Sequence, residues 1–324
     1  MSGGGWLEPA DYFWIYGPDL EREEAAQNVS SFAYYTDAAT AKLVLRSHRV
    51  WMRGVKHLND SSEVVFGLHL MEKALASPEA KALTTTMNSL HAGSGTELAT
   101  KLERMGATLL DEVFVSCVSA HNAEENEIGR LSMWRAYGKG NGVAIVVKKA
   151  ALLDWSDLPV HALPVRYGKT GITGETLRNL DTLIQDALSL GEFFRNELVD
   201  LVTAALQMQI VQCKHKAFSE EREWRIIYLP NNQTLLNTLA FSPERLTKKN
   251  VELTNVLQTI YELPIVPRVI HARDASFNDI IECILIGPAK DQAQLREEFV
   301  RILDELEVDD PERKVVSCDV PLRV

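Results

Sequence analysis

Glu221-Arg222-Glu223-Trp224-Arg225-Ile226-Ile227-Tyr228-Leu229-Pro230 sets two carboxylates, one residue apart, directly against an apolar run of strand character. In an extended chain, side chains two residues apart project from the same face. A strand beginning at Glu221 would therefore aim both carboxylates into one cleft. There each raises the pKa of the other, and one can steady a developing positive charge. The competing reading is a solvated strand entrance with Arg222 and Arg225 neutralising the acids, because Glu-x-Glu alone is a common spacing.

The chain has 324 residues, 46% of them hydrophobic, enough for a buried core in one large domain or two. A net charge of -11 disfavours broad electrostatic capture of nucleic acid or of an anionic membrane, while leaving room for a local basic groove. Cys117, Cys213, Cys283 and Cys318 lie far apart with no C-x-x-C pair, so free thiols are expected, with neither a zinc site nor a disulfide framework. The chain starts Met-Ser-Gly-Gly-Gly without a basic and apolar signal segment, and no stretch approaches the roughly 18 apolar residues of a membrane span. The expectation is a soluble, cytoplasmic protein with no membrane partner.

Residues 1–30 read as an arm in which Trp6, Tyr12, Phe13, Trp14 and Tyr16 precede Gly17-Pro18 and an acidic run from Asp19 to Glu24. Such aromatics are costly when exposed, so the arm is expected to dock on the body or on a protein partner. Residues 31–324 read as one α+β domain. Ser31 to Thr36 is a strand candidate, followed by a helix through Val44 capped by Thr36 or Asp37, and then by a short strand at Arg49 to Met52. Helical pattern runs from about Val64 to Leu110, broken at His91 to Gly95, and again over Leu177 to Val211 as one long helix or a pair. Further strands are expected at Val113 to Ser119, Val143 to Val147, Ile280 to Gly287 and Val315 to Cys318. A helix is expected at Ile128 to Tyr137 and a last one at about Asp291 to Glu307, with Asn231 to Leu257 a polar insertion and Leu263 to Pro267 extended.

Several other groups have both a bland and a functional reading. Trp134 and Tyr137 share a helix face and suit a core edge better than a base-stacking platform. Asn59, Asp60 and Glu63 read as a turn and cap before a helix, with substrate or metal contact as the alternative. Lys214, His215 and Lys216 read as a solvated charge cluster, with diphosphate contact as the alternative. His121 and His271 stand alone, and Cys117 reads as structural.

Trp134-x-x-Tyr137 followed by Gly142-Val143-Ala144-Ile145, then Phe218-x-x-Glu221-x-Glu223-Trp224-Arg225, then Ile281-x-x-Ile284-x-Ile286-Gly287-Pro288, resembles the bacterial family called domain of unknown function 2971. Asn59-Asp60-x-x-Glu63 and the strand Phe114 to Ser119 resemble segments of the same family. That name carries no activity.

Three pieces also resemble, in chain order, the ADP-ribosyltransferase plan: an opening strand with a polar NAD contact, a central strand with serines, and Glu-x-Glu leading a later strand. Here these are Tyr34 with Thr36, Ser116 with Ser119, and Glu221 with Glu223. The chain departs from the plan at Tyr34, where His or Arg is usual, and at Cys117-Val118, where a single Thr separates the serines. The resemblance implies a split mixed β-sheet built from strands near residues 34, 51, 115, 145, 225, 284 and 316, with helical insertions. It implies NAD as substrate, with Glu223 stabilising the ribosyl cation, Glu221 directing the acceptor, Tyr34 and Ser116 holding NAD, and Tyr35 stacking on nicotinamide. The expected function is an ADP-ribosyltransferase-like enzyme, as in a bacterial toxin or phage-defence effector, with the acceptor (protein, nucleic acid, small molecule or water) left open. The rival expectation is a non-catalytic interaction or sensor module of a bacterial defence system, whose aromatic arm contacts a partner. An open polar cleft holding Glu223, Ser116 and Tyr34 favours the enzyme; both acids paired to arginines on a convex surface favour the module.

Overall fold

The computed structural model describes residues 18–58, 62–153, 158–168, 172–186, 192–232, 245–253, 255–265 and 276–320. Its strands are β1 Ser31–Asp37, β2 Arg49–Gly54, β3 Phe114–His121, β4 Asn141–Lys148, β5 Val160–Pro164 and β6 Arg166–Tyr167. They continue with β7 Cys213–Lys214, β8 Glu223–Tyr228, β9 Thr247–Leu253, β10 Val256–Pro264, β11 Ile281–Ala289 and β12 Val315–Ser317. Ten of these form one sheet, antiparallel except for the β11–β12 pair, while β6 and β7 make a short parallel pair of their own. With helices packed around it, the architecture is α+β with a mixed sheet.

The sheet forks at β3. One edge of β3 pairs with β8 from Phe114↔Tyr228 to Ser119↔Glu223, and β5 continues the sheet beyond β8. The other edge is shared: β2 takes Phe114 and Val115, and β1 takes Ser119, Ala120 and His121. Beyond Ala33, β1 follows only β4, and β2 runs on along β10. Among the described residues, Ser116, Cys117 and Val118 are therefore left without a ladder partner on that edge, and a cleft opens between β1 and β2.

Each wing of the fork has its own packing. The face of β3 and β8 carrying Val115 and Ile227 is covered by the helices Ser62–Leu75, Pro78–Leu90, Ser94–Glu112, Gly174–Asp186 and Glu192–Val211. Phe32, Met52, Phe114, Trp224, Ile226 and Tyr261 pack on the opposite face. In β11, Ile284 and Ile286 face Phe299, Ile302 and Leu303 of the helix Gln292–Glu305, while Leu285 faces Trp134. Burial on both faces explains why β11 reads as an uninterrupted apolar run.

Every strand expected near residues 34, 51, 115, 145, 225, 284 and 316 is a strand, and the 177–211 segment is a pair of helices, Gly174–Asp186 and Glu192–Val211. Asp37 caps the helix Ala38–Ser47 by accepting from the Thr40 amide at 2.9 Å. The segment taken as a polar insertion instead contributes β9 and the start of β10. Lys248, Lys249, Asn250 and Glu252 hid β9, because an edge strand carries charge where a central one carries apolar residues. The helical stretch from Val64 breaks twice rather than once, since Ser77 caps a new helix with Pro78 in its first turn. Of the arm, the helix Pro18–Ala26 lies against β5, and Ala26 and Val29 are buried in the body. The aromatics Trp6 to Tyr16 lie outside the described residues, as do Asn59, Asp60 and His271. Among the described residues, no helix is long and apolar enough to cross a membrane. None of the four cysteines is in a disulfide.

Ile284 is fully buried and Leu257, at the β9–β10 turn, is 72% exposed. Ile284→Ala is expected to cost about 2–5 kcal/mol in urea unfolding, and Leu257→Ser to stay within about 0.5 kcal/mol of wild type. Equal effects would contradict this core.

Candidate active site

β8 begins at Glu223, not at Glu221. Glu221 ends a 3-10 turn, Lys216–Glu221, and Arg222 between the two acids is left-handed at φ 45°. The two carboxylates nevertheless converge, because this reversal folds Glu221 back onto the residue that Glu223 also reaches. Lys214 Nζ lies 2.7 Å from Glu221 Oε2, 2.6 Å from Glu223 Oε2 and 2.9 Å from Glu63 Oε1. Arg225 Nε donates to Glu223 Oε1 at 2.7 Å, and its terminal nitrogens donate to Glu63 and to the Val211 carbonyl. Glu63, Lys214, Glu223 and Arg225 are all buried. Lys214, expected as part of a solvated cluster with His215 and Lys216, is the exception there: its neighbours are exposed, while it sits among three carboxylates. Of the two arginines expected to neutralise the acids, Arg225 does so, whereas Arg222 pairs with Glu125 and Asn122.

Three carboxylates thus face two cations. Burial alone would raise the Glu223 carboxyl, but Arg225 and Lys214 outweigh it and hold the group at about 2. Glu221 goes the other way. Burial raises it, and the charges of Glu223 and Glu63 add to that, against the pull of Lys214. Burial would lower the Lys214 ammonium, yet the surrounding carboxylates, Glu223 first, raise it, so it stays charged. Burial, then Glu223, pushes the Cys117 thiol far up, which keeps it protonated and poorly nucleophilic.

The network forms one end of a cleft of about 300 Å³ between β1 and β2, lined also by Tyr34, Thr36, Ser116, Ser119 and Tyr137. Directly paired residues of an antiparallel ladder share a face. Ser119, paired with Glu223 and with Ala33, lies on the Glu223 side; Ser116, paired with Ile226, belongs to the other. Tyr34 and Ser116 meet the cleft at the fork and also line an apolar chamber of about 50 Å³ behind it. Burial raises the Tyr34 hydroxyl to about 12, so it remains a donor.

Two of the expected NAD contacts have side chains engaged within the protein. The Tyr35 ring is buried edge-on against Trp134, and its hydroxyl accepts from the Arg130 amide. The Ser119 hydroxyl donates to the Glu221 carbonyl and accepts from Arg130, holding the Glu221 turn in place. Sequence reading missed Tyr167, whose hydroxyl accepts from the Glu223 amide at 2.7 Å, and Arg130, which ties Ser119, Ala120, Glu125 and the Glu221 carbonyl together.

The Trp and Gly motifs have a steric explanation. A Cβ at Gly142 or Gly287 would stand 2.9 or 2.7 Å from the Trp134 ring, and one at Gly129, where φ is 64°, would stand 2.6 Å from it. Trp134 fills a slot that only glycines leave open, and its indole N–H donates to the Ile128 carbonyl at 2.9 Å. That seats the helix Leu131–Tyr137 and brings Tyr137 Oη to 3.5 Å from Glu221.

Residues 133–226 match the model of a family described as a protein of unknown function (DUF2971). The match runs from the Trp134 helix to the middle of β8, and so includes Lys214, Glu221, Glu223 and Arg225. No curated protein and no solved structure matches the chain.

Removing one member of a buried ion network strands its partners, so Arg225→Ala is expected to cost about 3–5 kcal/mol at pH 7. Lys139→Ala, which removes an exposed pair with Asp37, is expected to cost under about 1 kcal/mol. The depressed Glu223 carboxyl contributes stability that is present above its ordinary value of 4.5 and is lost as pH falls toward about 2. The Arg225→Ala deficit, measured by urea unfolding across that window, is therefore expected to shrink as pH falls.

Proposed function

We propose that the forked cleft binds NAD, cleaves its nicotinamide–ribose bond and passes ADP-ribose to an acceptor, on an ADP-ribosyltransferase-like split sheet. The observation that carries this reading is the opposite shift of two converging carboxylates: Glu223 held ionised and Glu221 held toward the protonated range. Environments that push two acids apart divide a catalytic task between them.

In this reading the departing nicotinamide takes the bonding electron pair and leaves neutral, while positive charge develops on the ribose. Glu223, charged throughout, stabilises that cation and accepts a hydrogen bond from a ribose hydroxyl. Its Oε2 already accepts from Lys214, but a carboxylate oxygen has a second lone-pair direction. Glu221, less buried and exposed toward the cleft, takes the proton of the attacking acceptor or water as the new bond to the ribose forms. Tyr34 and Ser116 line the same opening and contribute hydroxyls to the ligand. Tyr35 and Ser119 act from behind, by seating the Trp134 helix and the Glu221 turn.

A second reading has its own observation: both Glu223 oxygens are engaged, one by Arg225 and one by Lys214. A ligand-sensing module of a bacterial defence system, without turnover, would need no more than that. The two separate on NAD consumption, assayed with and without cell extract as the acceptor source. Glu223→Gln keeps the shape and removes the charge, and is expected to lower both hydrolysis and transfer by about 10²-fold or more. Glu221→Gln is expected to lower transfer about 10²-fold and hydrolysis less.

Transfer should require ionised Glu221. Its rate is expected to rise with pH through an acid limb placed above the ordinary glutamate value, and to lose that limb in Glu221→Gln. A folded wild type that neither binds nor consumes NAD under these conditions contradicts the enzyme reading and leaves the module.

A further inference from the structure

The cleft has a second end that the acid pair does not use. Arg53 and Trp51 stand two residues apart on β2, and Arg53 pairs with Val115, which lies on the same face of β3 as Ser119 and Glu223. Both side chains line the cleft. One terminal nitrogen of Arg53 donates to Gln258 Oε1 at 3.1 Å, while its Nε is buried without a hydrogen-bond partner. Among the described residues, no carboxylate lies within ion-pair distance of this guanidinium. Burial lowers its pKa, and only the neighbouring Tyr34 opposes that. A half-buried cation that lines a cavity and has no carboxylate partner is suited to an anion.

The two ends differ in sign and are well separated. Val115 and Ser119, which mark them on β3, are four residues apart, or about 13 Å along a strand. A single small anion does not reach from one end to the other. A ribose joined to a diphosphate does, because the Arg53 and Glu223 side chains shorten the gap from both sides.

Resting on the NAD reading, we propose that Trp51 and Arg53 form the nucleotide-diphosphate subsite: Arg53 takes a phosphate, Trp51 stacks on the base, and the reacting ribose lies toward Glu223. A planar guanidinium suits phosphate oxygens, and an indole face suits any purine. The wall of the cleft thus fixes the direction of the ligand.

The test is calorimetric binding of ADP and of inorganic pyrophosphate, neither of which carries the reacting bond. Wild type is expected to bind both, more weakly as salt rises. Arg53→Gln is expected to weaken both by about tenfold or more, with Arg53→Lys recovering part of the loss. Trp51→Ala is expected to weaken ADP by about tenfold and to leave pyrophosphate unchanged. Unfolding midpoints near wild type establish that the variants are folded. A wild type that binds no ADP, or folded Arg53→Gln and Trp51→Ala variants that bind ADP as wild type does, overturns the subsite. The outcome is separable from the chemistry: ADP bound as described without NAD consumption removes only the catalytic reading, and NAD consumption without this ADP dependence removes only the subsite.

Discussion

Arg225 lies almost wholly inside the protein, on a strand buried on both faces, and the structure around the cleft depends on neutralising it. A buried guanidinium is tolerated only when its donors are met and its charge is balanced. Glu223 and Glu63 supply the charge, and the Val211 carbonyl takes a further donor. These partners come from β8 itself, from the helix Ser62–Leu75 and from the end of the helix Glu192–Val211. One side chain therefore ties together three segments, of which the helix Ser62–Leu75 is far in sequence from the other two. Lys214 then closes the network onto Glu221, at the mouth of the fork.

That arrangement has a chemical consequence. Burial raises Glu221 first, and with three carboxylates and two cations in one cluster, Lys214 is the one cation of the cluster that opposes that rise. Glu223 touches both cations and stays ionised; Glu221 touches only Lys214 and is raised. The asymmetry follows from where the chain runs. A glutamate on β8 is locked beside Arg225, and a glutamate at the end of a 3-10 turn is not.

The alternation and apolar runs of the sequence were enough to find β1, β3, β4, β8 and β11, because these strands are buried and locally consistent. The Glu-x-Glu pair was legible too, but for a different reason from the one that holds: a common strand face was expected, and the left-handed Arg222 brings the acids together instead. Lys214 could not be read, since Cys213-Lys214-His215-Lys216 looks like solvated charge and one of the three carboxylates around it, Glu63, lies on a helix far away in sequence. The burial of Tyr35 against Trp134 was hidden for the same reason, as the slot is built from Gly129, Gly142 and Gly287 on separate segments. The edge hairpin β9–β10 gave a polar signal because its outer strand faces solvent.

The opposed ionisation of Glu221 and Glu223 is the point on which the proposed chemistry rests, and it can be observed without any ligand. Carboxyl-carbon NMR of protein labelled at glutamate, with the two resonances assigned through single Glu→Gln variants, follows each group through a pH titration. The expected result is a Glu221 signal titrating above the ordinary glutamate range and a Glu223 signal still unmoved at pH 4, well above its value of about 2. Both signals titrating together near 4.5, or Glu223 above Glu221, would contradict the network as the cause of the opposed ionisation.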